Sequence, residues 1–242
     1  MHLPDDPLAL TAALPDVPRW VETRWLLHAG EGVLTVGPDR SGGAVVGAQL
    51  TLGAVIGRAD PALLRDVRAD VADDFELIVQ MDALDEAQEA LPDWIAAQAI
   101  VHSLVRPHES GGQAAPGVIV SAPPEERWLE QLSGQDRLFA TRAPAVAVRL
   151  VEGMVVAICV AGAVTETLWD VGLYTLEGHR RRGYAAACFW ALAAHMASQG
   201  RQPVWASEED NASSLKLAAQ LGFRPVDRVA LLSRRTSAEE AR

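Results

Sequence analysis

Lysine occurs once in this chain, at Lys216, and cysteine only twice, at Cys159 and Cys188. Two thiols, both inside apolar runs, leave no basis for a disulfide framework, and no Cys/His spacing suggests zinc. No Gly-Lys-Ser/Thr is present, which excludes a P-loop, and without G-x-G-x-x-G a Rossmann dinucleotide site is a poor reading. The opening Met-His-Leu-Pro-Asp-Asp-Pro has neither the basic nor the apolar region of a signal peptide. The longest nearly apolar stretch, Met154–Val164, is too short to span a bilayer. Together with free thiols, these absences lead us to expect a soluble cytoplasmic protein with no metal site.

What is there suits a packed α/β protein. Hydrophobic residues make up 49% of 242, and the formal net charge is −11. Bulk negative charge argues against nucleic acid or an anionic membrane as partner and favours a cationic or neutral one. The polar segment Arg106–Pro116 reads as a linker, dividing the chain into residues 1–112 and 113–242.

In the first part, Pro7–Leu14 reads as a helix, Trp20–Val36 as strands turning at Gly30-Glu31-Gly32, and Ala44–Ile56 as a β run. Pro61–Val71 is a helix with Asp60 as N-cap, Phe75–Gln80 a strand, and Asp82–Leu91 and Pro92–Leu104 two further helices. The second part starts with a short strand, Gly117–Ser121, and a helix, Pro124–Leu132. A hairpin of Ala145–Val151 and Met154–Ala161 follows, turning at Glu152-Gly153. Then come strand Leu168–Leu176, helix Tyr184–Gln199 ended by Gly200, strand Pro203–Ala206, helix Ala212–Leu221 capped at Asp210 or Asn211, and strand Val226–Ser233. The order β-α-ββ-β-α-β-α-β specifies a mixed α/β sheet rather than a doubly wound parallel one.

One junction carries chemistry. The strand ending at Leu176 leads through Arg180-Arg181-Arg182-Gly183 into the helix opening Tyr184-Ala185. A helix N-terminus offers unpaired N–H groups and a partial positive charge to phosphate oxygens. Gly183 and Ala185 keep the approach clear, and the guanidinium groups supply forked donors, with His179 a further donor when protonated. An Arg cluster before a helix is most often a solvated turn. Here it follows a strand and opens a long apolar helix, which favours an anion site.

Arg180-x-x-Gly183-x-Ala185 resembles the Arg/Gln-x-x-Gly-x-Gly/Ala signature of the GNAT superfamily of N-acetyltransferases. Asn211-Ala-Ser-Ser-Leu-Lys-Leu-Ala-Ala-Gln-Leu-Gly-Phe223 is similar to its second landmark, an Asn-led helix ending in Leu-Gly-Phe. Thr165–Asp170 and Trp205-Ala-Ser-Glu208 look like a subgroup with an added N-terminal region. The resemblance covers about half of the chain. It implies a GNAT-like fold there, with acetyl-coenzyme A as acyl donor. The pyrophosphate would lie at Arg180, Arg181, Arg182, Gly183, Tyr184 and Ala185, and the pantetheine along Leu173, Tyr174, Thr175 and Leu176. Asn211 and Ser214 would border the thiol end. An amide of the pantetheine-binding stretch would steady the oxyanion formed when a primary amine attacks the thioester in a ternary complex.

GNAT enzymes often carry a thiolate-protonating tyrosine seven residues after the Asn, where this chain has Ala218. Tyr174 and Ser214 are the substitutes, and Glu166 and Asp170 the candidate general bases, with Glu208 a third. Asn211 as a simple N-cap and His195 as a core residue are the plainer readings of those two positions. The expected substrate is a small-molecule amine, and a homodimer is compatible. Residues 1–112 stand as a module of unknown role, with a degenerate GNAT-like half as one reading. The rival functions are a non-catalytic acyl-coenzyme A sensor and an interaction protein gripping another phosphate.

Overall fold

A computed structural model describes residues 2–28, 32–48, 51–105, 116–132 and 134–234. The linker at 106–115 and the turn at Gly30-Glu31 lie outside the described residues. The elements form two compact units. The first takes the chain through Val101 together with Ser207–Leu215 and the described residues from Pro225 onward; the second takes His102–Ala206 and Lys216–Arg224. Each unit therefore draws on both halves of the sequence, and the boundary passes through the Asn-led helix and the last strand.

The first unit begins with helices α1 (Pro7–Ala13) and α2 (Val21–His28), then strands β1 (Gly32–Val36), β2 (Gly42–Gly47) and β3 (Leu52–Gly57). Helix α3 (Pro61–Asp70) crosses to β4 (Glu76–Gln80), and α4 (Leu84–Ala90) precedes β5 (Trp94–Leu104). β1, β2 and β3 form an antiparallel meander, β3 and β4 run parallel, and β11 (Phe223–Arg234) returns antiparallel to β4 through Val229↔Gln80 to Ser233↔Glu76. The last strand of the sequence thus packs with the N-terminal strands, with Ala230 and Leu232 in a core shared with Leu64, Phe75, Leu77 and Trp94.

Two expectations fail here for identifiable reasons. Val21–His28 is a helix, not a strand: Arg24 is buried and donates to the carbonyls of Thr11 and Leu14 at the end of α1, so a residue that reads as exposed completes the helical inner face. The β run expected over residues 44–56 is present as the two strands β2 and β3. Pro92–Leu104 is β5, because sheet pairing and partial burial override the helix preference of its Ala and Gln residues.

The second unit opens with β6 (Val118–Ser121), α5 (Glu126–Leu129) and α6 (Gly134–Arg142), the latter not anticipated from sequence. β7 (Val146–Val151) and β8 (Met154–Val164) form the expected hairpin, with Glu152 at φ 52° and Gly153 at φ 82°, the backbone a two-residue turn demands. β9 (Leu168–Thr175), α7 (Tyr184–Ala197), β10 (Gln202–Glu208) and α8 (Ala212–Leu221) complete it. The strand order is β10-β9-β8-β7-β6. Cys188, Phe189, Leu192 and Met196 turn one face of α7 onto the sheet, where Phe189 lies 6.3 Å from Trp169 and 5.4 Å from Phe223 between ring centroids. The opposite sheet face packs Trp128, Leu129 and Ala140 of α5 and α6 against Val148 and Ile158. The outcome is the mixed α/β sheet anticipated. No helix among the described residues is long and apolar enough to cross a membrane.

Candidate active site

β9 and β10 run parallel, in register only for Leu168↔Gln202, Trp169↔Pro203 and Asp170↔Val204. β9 continues alone against β8 as far as Thr175↔Ala157. From Val171 onward its far edge is therefore not paired with β10. Backbone groups alternate sides along a strand. Leu176 spends its amide on Val156 at 3.0 Å on the β8 side, so Leu173 and Thr175 face the open side. The Thr175 carbonyl accepts from Arg180 Nε at 3.2 Å, tying the Arg-rich loop to this edge.

That loop begins as a single 3-10 turn, Glu177–His179, and ends at Gly183, the N-cap of α7, at φ 77°. Left-handed geometry suits glycine; Arg181 adopts it too, at φ 59°, a conformation that is costly for a side-chain-bearing residue. No side chain caps α7, and its first helical bond runs from the Ala187 amide to the Gly183 carbonyl. The four preceding amides are the ones a helix cannot satisfy by itself. A Cβ placed on Gly183 would meet nothing within 4 Å, so the space before these amides is open. Arg180, Arg181 and Arg182 are all exposed around it.

Arg149, unnoticed in the sequence, joins them. Its guanidinium lies 4.9 Å from the Tyr184 ring centroid, at the first residue of α7. Its Nε, and Nδ1 of His179, whose ring centroid lies 6.4 Å from that of Tyr184, are buried without a hydrogen-bond partner. An unpartnered guanidinium N–H beside an uncapped helix fits an anionic group. The signal was an arginine interrupting the apolar run 146–151.

Asp170 is the second focus. Trp169 and Val171 belong to the α7 side of the sheet, so alternation turns Asp170 to the α5/α6 side, where Tyr174 also packs. It sits across from a bulge in β8, where the register jumps between Ala161 and Val164, and Gly162 leaves room at that bulge for the Asp170 Oδ2. Burial pushes its carboxyl up from 3.8 to about 7, with only the Val171 amide pulling it down. Glu166 is exposed in the tight turn from Thr165 to Leu168 and lacks such an environment. Glu208 is also raised, by burial and then by Asp210.

Asn211 caps α8, its Oδ1 accepting from the Ser214 amide at 3.1 Å, and both lie in the first unit. Ala218, where a tyrosine was sought, is fully buried in the core of the second. Cys188 is pushed up to about 12 by burial, partly offset by Arg149, and Cys159 is raised well above its usual value by burial, then by Cys188 and Asp170. Neither thiol is a nucleophile at neutral pH. Among the described residues no cluster is able to hold a metal ion.

A strand pair thus parts beside an open helix start ringed by cations. Residues 139–231, within the C-terminal half, match the model of the GNAT acetyltransferases. Solved structures extend the likeness of fold to nearly the whole chain. A GCN5-related N-acetyltransferase-like protein from Streptococcus suis superposes with TM-score 0.70 at 16% identity, covering 94% of this chain and 96% of its own. A GCN5-related N-acetyltransferase from Kribbella flavida gives 0.62 at 14%, covering 92% and 96%. A tandem GNAT protein from the clavulanic acid biosynthesis pathway gives 0.58 at 15%, covering 95% and 93%. None of the curated proteins matches the sequence.

Proposed function

We propose that the protein is a cytoplasmic N-acetyltransferase that moves an acetyl group from acetyl-coenzyme A to the primary amine of a small, cationic molecule. The parting of β9 and β10 beside the uncapped start of α7 is the observation that carries this reading. The Gly183–Ala186 amides, with Arg180, Arg181, Arg182 and Arg149, hold the pyrophosphate. The open edge of β9 at Leu173 and Thr175 pairs with the pantetheine, and the Leu173 amide faces the developing oxyanion. The thioester supplies an activated acyl group and a thiolate as leaving group.

Asp170 takes a proton from the substrate ammonium, freeing the neutral amine to attack the thioester carbonyl. A carboxylate with its pKa near 7 is half ionised at working pH and still basic enough to accept it. Tyr174, on the same sheet face, returns a proton to the thiolate, a role for which solvent also suffices. The excess of acidic residues favours cationic acceptors over acids. Residues 1–112 are read as a degenerate GNAT-like half, because β3-α3-β4 repeats the β9-α7-β10 crossover with the same three-residue parallel register.

Calorimetry with coenzyme A and thiol release from acetyl-coenzyme A over a panel of amines test the proposal. Binding with turnover for at least one amine supports it, binding without turnover makes the protein a sensor, and no binding refutes the placement of the cofactor.

A further inference from the structure

Glycine weakens a strand interior, because it adds conformational freedom and has no side chain to pack. Where a strand holds one, it marks a bulge or bend, a positive φ, or a place where another group approaches the backbone closely. Gly32 and Gly53, in the first unit, are of the last kind. A Cβ on Gly32 of β1 would lie 2.6 Å from Val45 Cγ2, and one on Gly53 of β3 would lie 2.6 Å from Phe75 Cζ. The protein's own side chains fill the space that those glycines leave.

Gly172 of β9 has no such reason within the protein. Its φ lies outside the left-handed region, and it pairs regularly with Val160, short of the bulge between Ala161 and Val164. A Cβ there would lie 3.4 Å from Val160 Cβ and 3.7 Å from the Val160 carbonyl oxygen, ordinary contact distances. Apart from its chain neighbours, nothing else among the described residues comes within 4 Å. The strand has room for a methyl group at this half-buried position and holds none.

Its place in β9 says what comes close. Side chains alternate along the strand, so Gly172 shares a face with Asp170 and Tyr174, away from the α7 side that Trp169 and Val171 take. The peptide joining Gly172 to Leu173 carries the amide that faces the oxyanion. A nitrogen that attacks there after giving its proton to Asp170 passes along the strand between residues 170 and 173. The carbon bearing that nitrogen is thereby laid against Gly172. The missing Cβ leaves room for about one methyl group beside that carbon.

Taking this cleft as the acetyl-transfer site, we propose that Gly172 sets acceptor specificity and that the acceptor carries its primary amine on a branched carbon. The full chain would be assayed for thiol release from acetyl-coenzyme A with matched amines, sec-butylamine against n-butylamine and cyclohexylamine against n-hexylamine. We expect the parent to show the higher kcat/KM for the branched member of each pair. Gly172→Ala, whose methyl group the strand accommodates, lowers the branched-to-linear ratio by about tenfold or more, the effect of one carbon in a close-fitting site. Its coenzyme A affinity by calorimetry is retained, which also shows the variant folded. A parent that prefers the linear amines, an unchanged ratio in Gly172→Ala, or lost coenzyme A affinity in that variant each overturns this proposal and leaves acetyl transfer standing. No thiol release with any amine while coenzyme A still binds overturns acetyl transfer and this proposal together.

Discussion

Replacing Asp170 by Asn removes the half-buried carboxyl that lies across from the β8 bulge, and it should change both the pH–rate profile and the pH dependence of stability. Folding raises this carboxyl from 3.8 to about 7, with burial the main cause. The sign follows. The native state holds the proton more tightly than the unfolded chain, so stability is undiminished below the unfolded pKa. It is lost progressively as pH rises, until the native carboxyl has ionised as well. Between about pH 5 and pH 8 that linkage costs on the order of 2–3 kcal/mol. Asp170→Asn carries no such proton, so its denaturation midpoint should fall less over this window than that of the parent.

Activity should behave in the opposite way. The parent's kcat/KM rises through an apparent pKa near 7 as Asp170 ionises, whereas the Asn variant loses that limb and about 10²–10⁴ in rate. Urea melts at several pH values and initial rates of thiol release measure the two effects independently. An ascending limb that survives in Asp170→Asn refutes the assignment of the base, and equal pH dependence of stability in both proteins refutes the burial argument itself.

Other outcomes follow from the same geometry. Gly183→Val should abolish coenzyme A binding in calorimetry and lower stability by about 1–3 kcal/mol, because a β-branched residue is strained at positive φ and its side chain fills the open approach to the amides. Arg149→Leu should weaken coenzyme A by roughly tenfold to a hundredfold, more at low salt than at high, while the melting temperature changes little. Asp60→Ala should cost about 0.5–2 kcal/mol as a lost N-cap, read by urea denaturation. Phe189→Ala should cost about 3–5 kcal/mol, since the ring is fully buried against Trp169, Trp190 and Phe223.

Local chemistry was legible from the chain alone. Asp60-Pro61 names a helix start, Glu152-Gly153 a hairpin, and Gly200 and Gly222 helix ends, because each is decided by backbone preferences over a few residues. The strand, loop and helix around Arg180–Ala185 were readable for the same reason. Other features depended on partners distant in sequence. Arg24 became a core residue by meeting the end of α1, residues 94–104 became a strand by sheet pairing, and Arg149 reached Tyr184 across 35 positions. The raised carboxyl of Asp170 required a bulge in a neighbouring strand, and the last strand found its partner in β4, well over a hundred residues earlier. Turns and caps answer to local torsion and hydrogen bonding, which the chain carries wherever it goes. Burial, electric environment and strand partnership exist only once remote segments have been brought together.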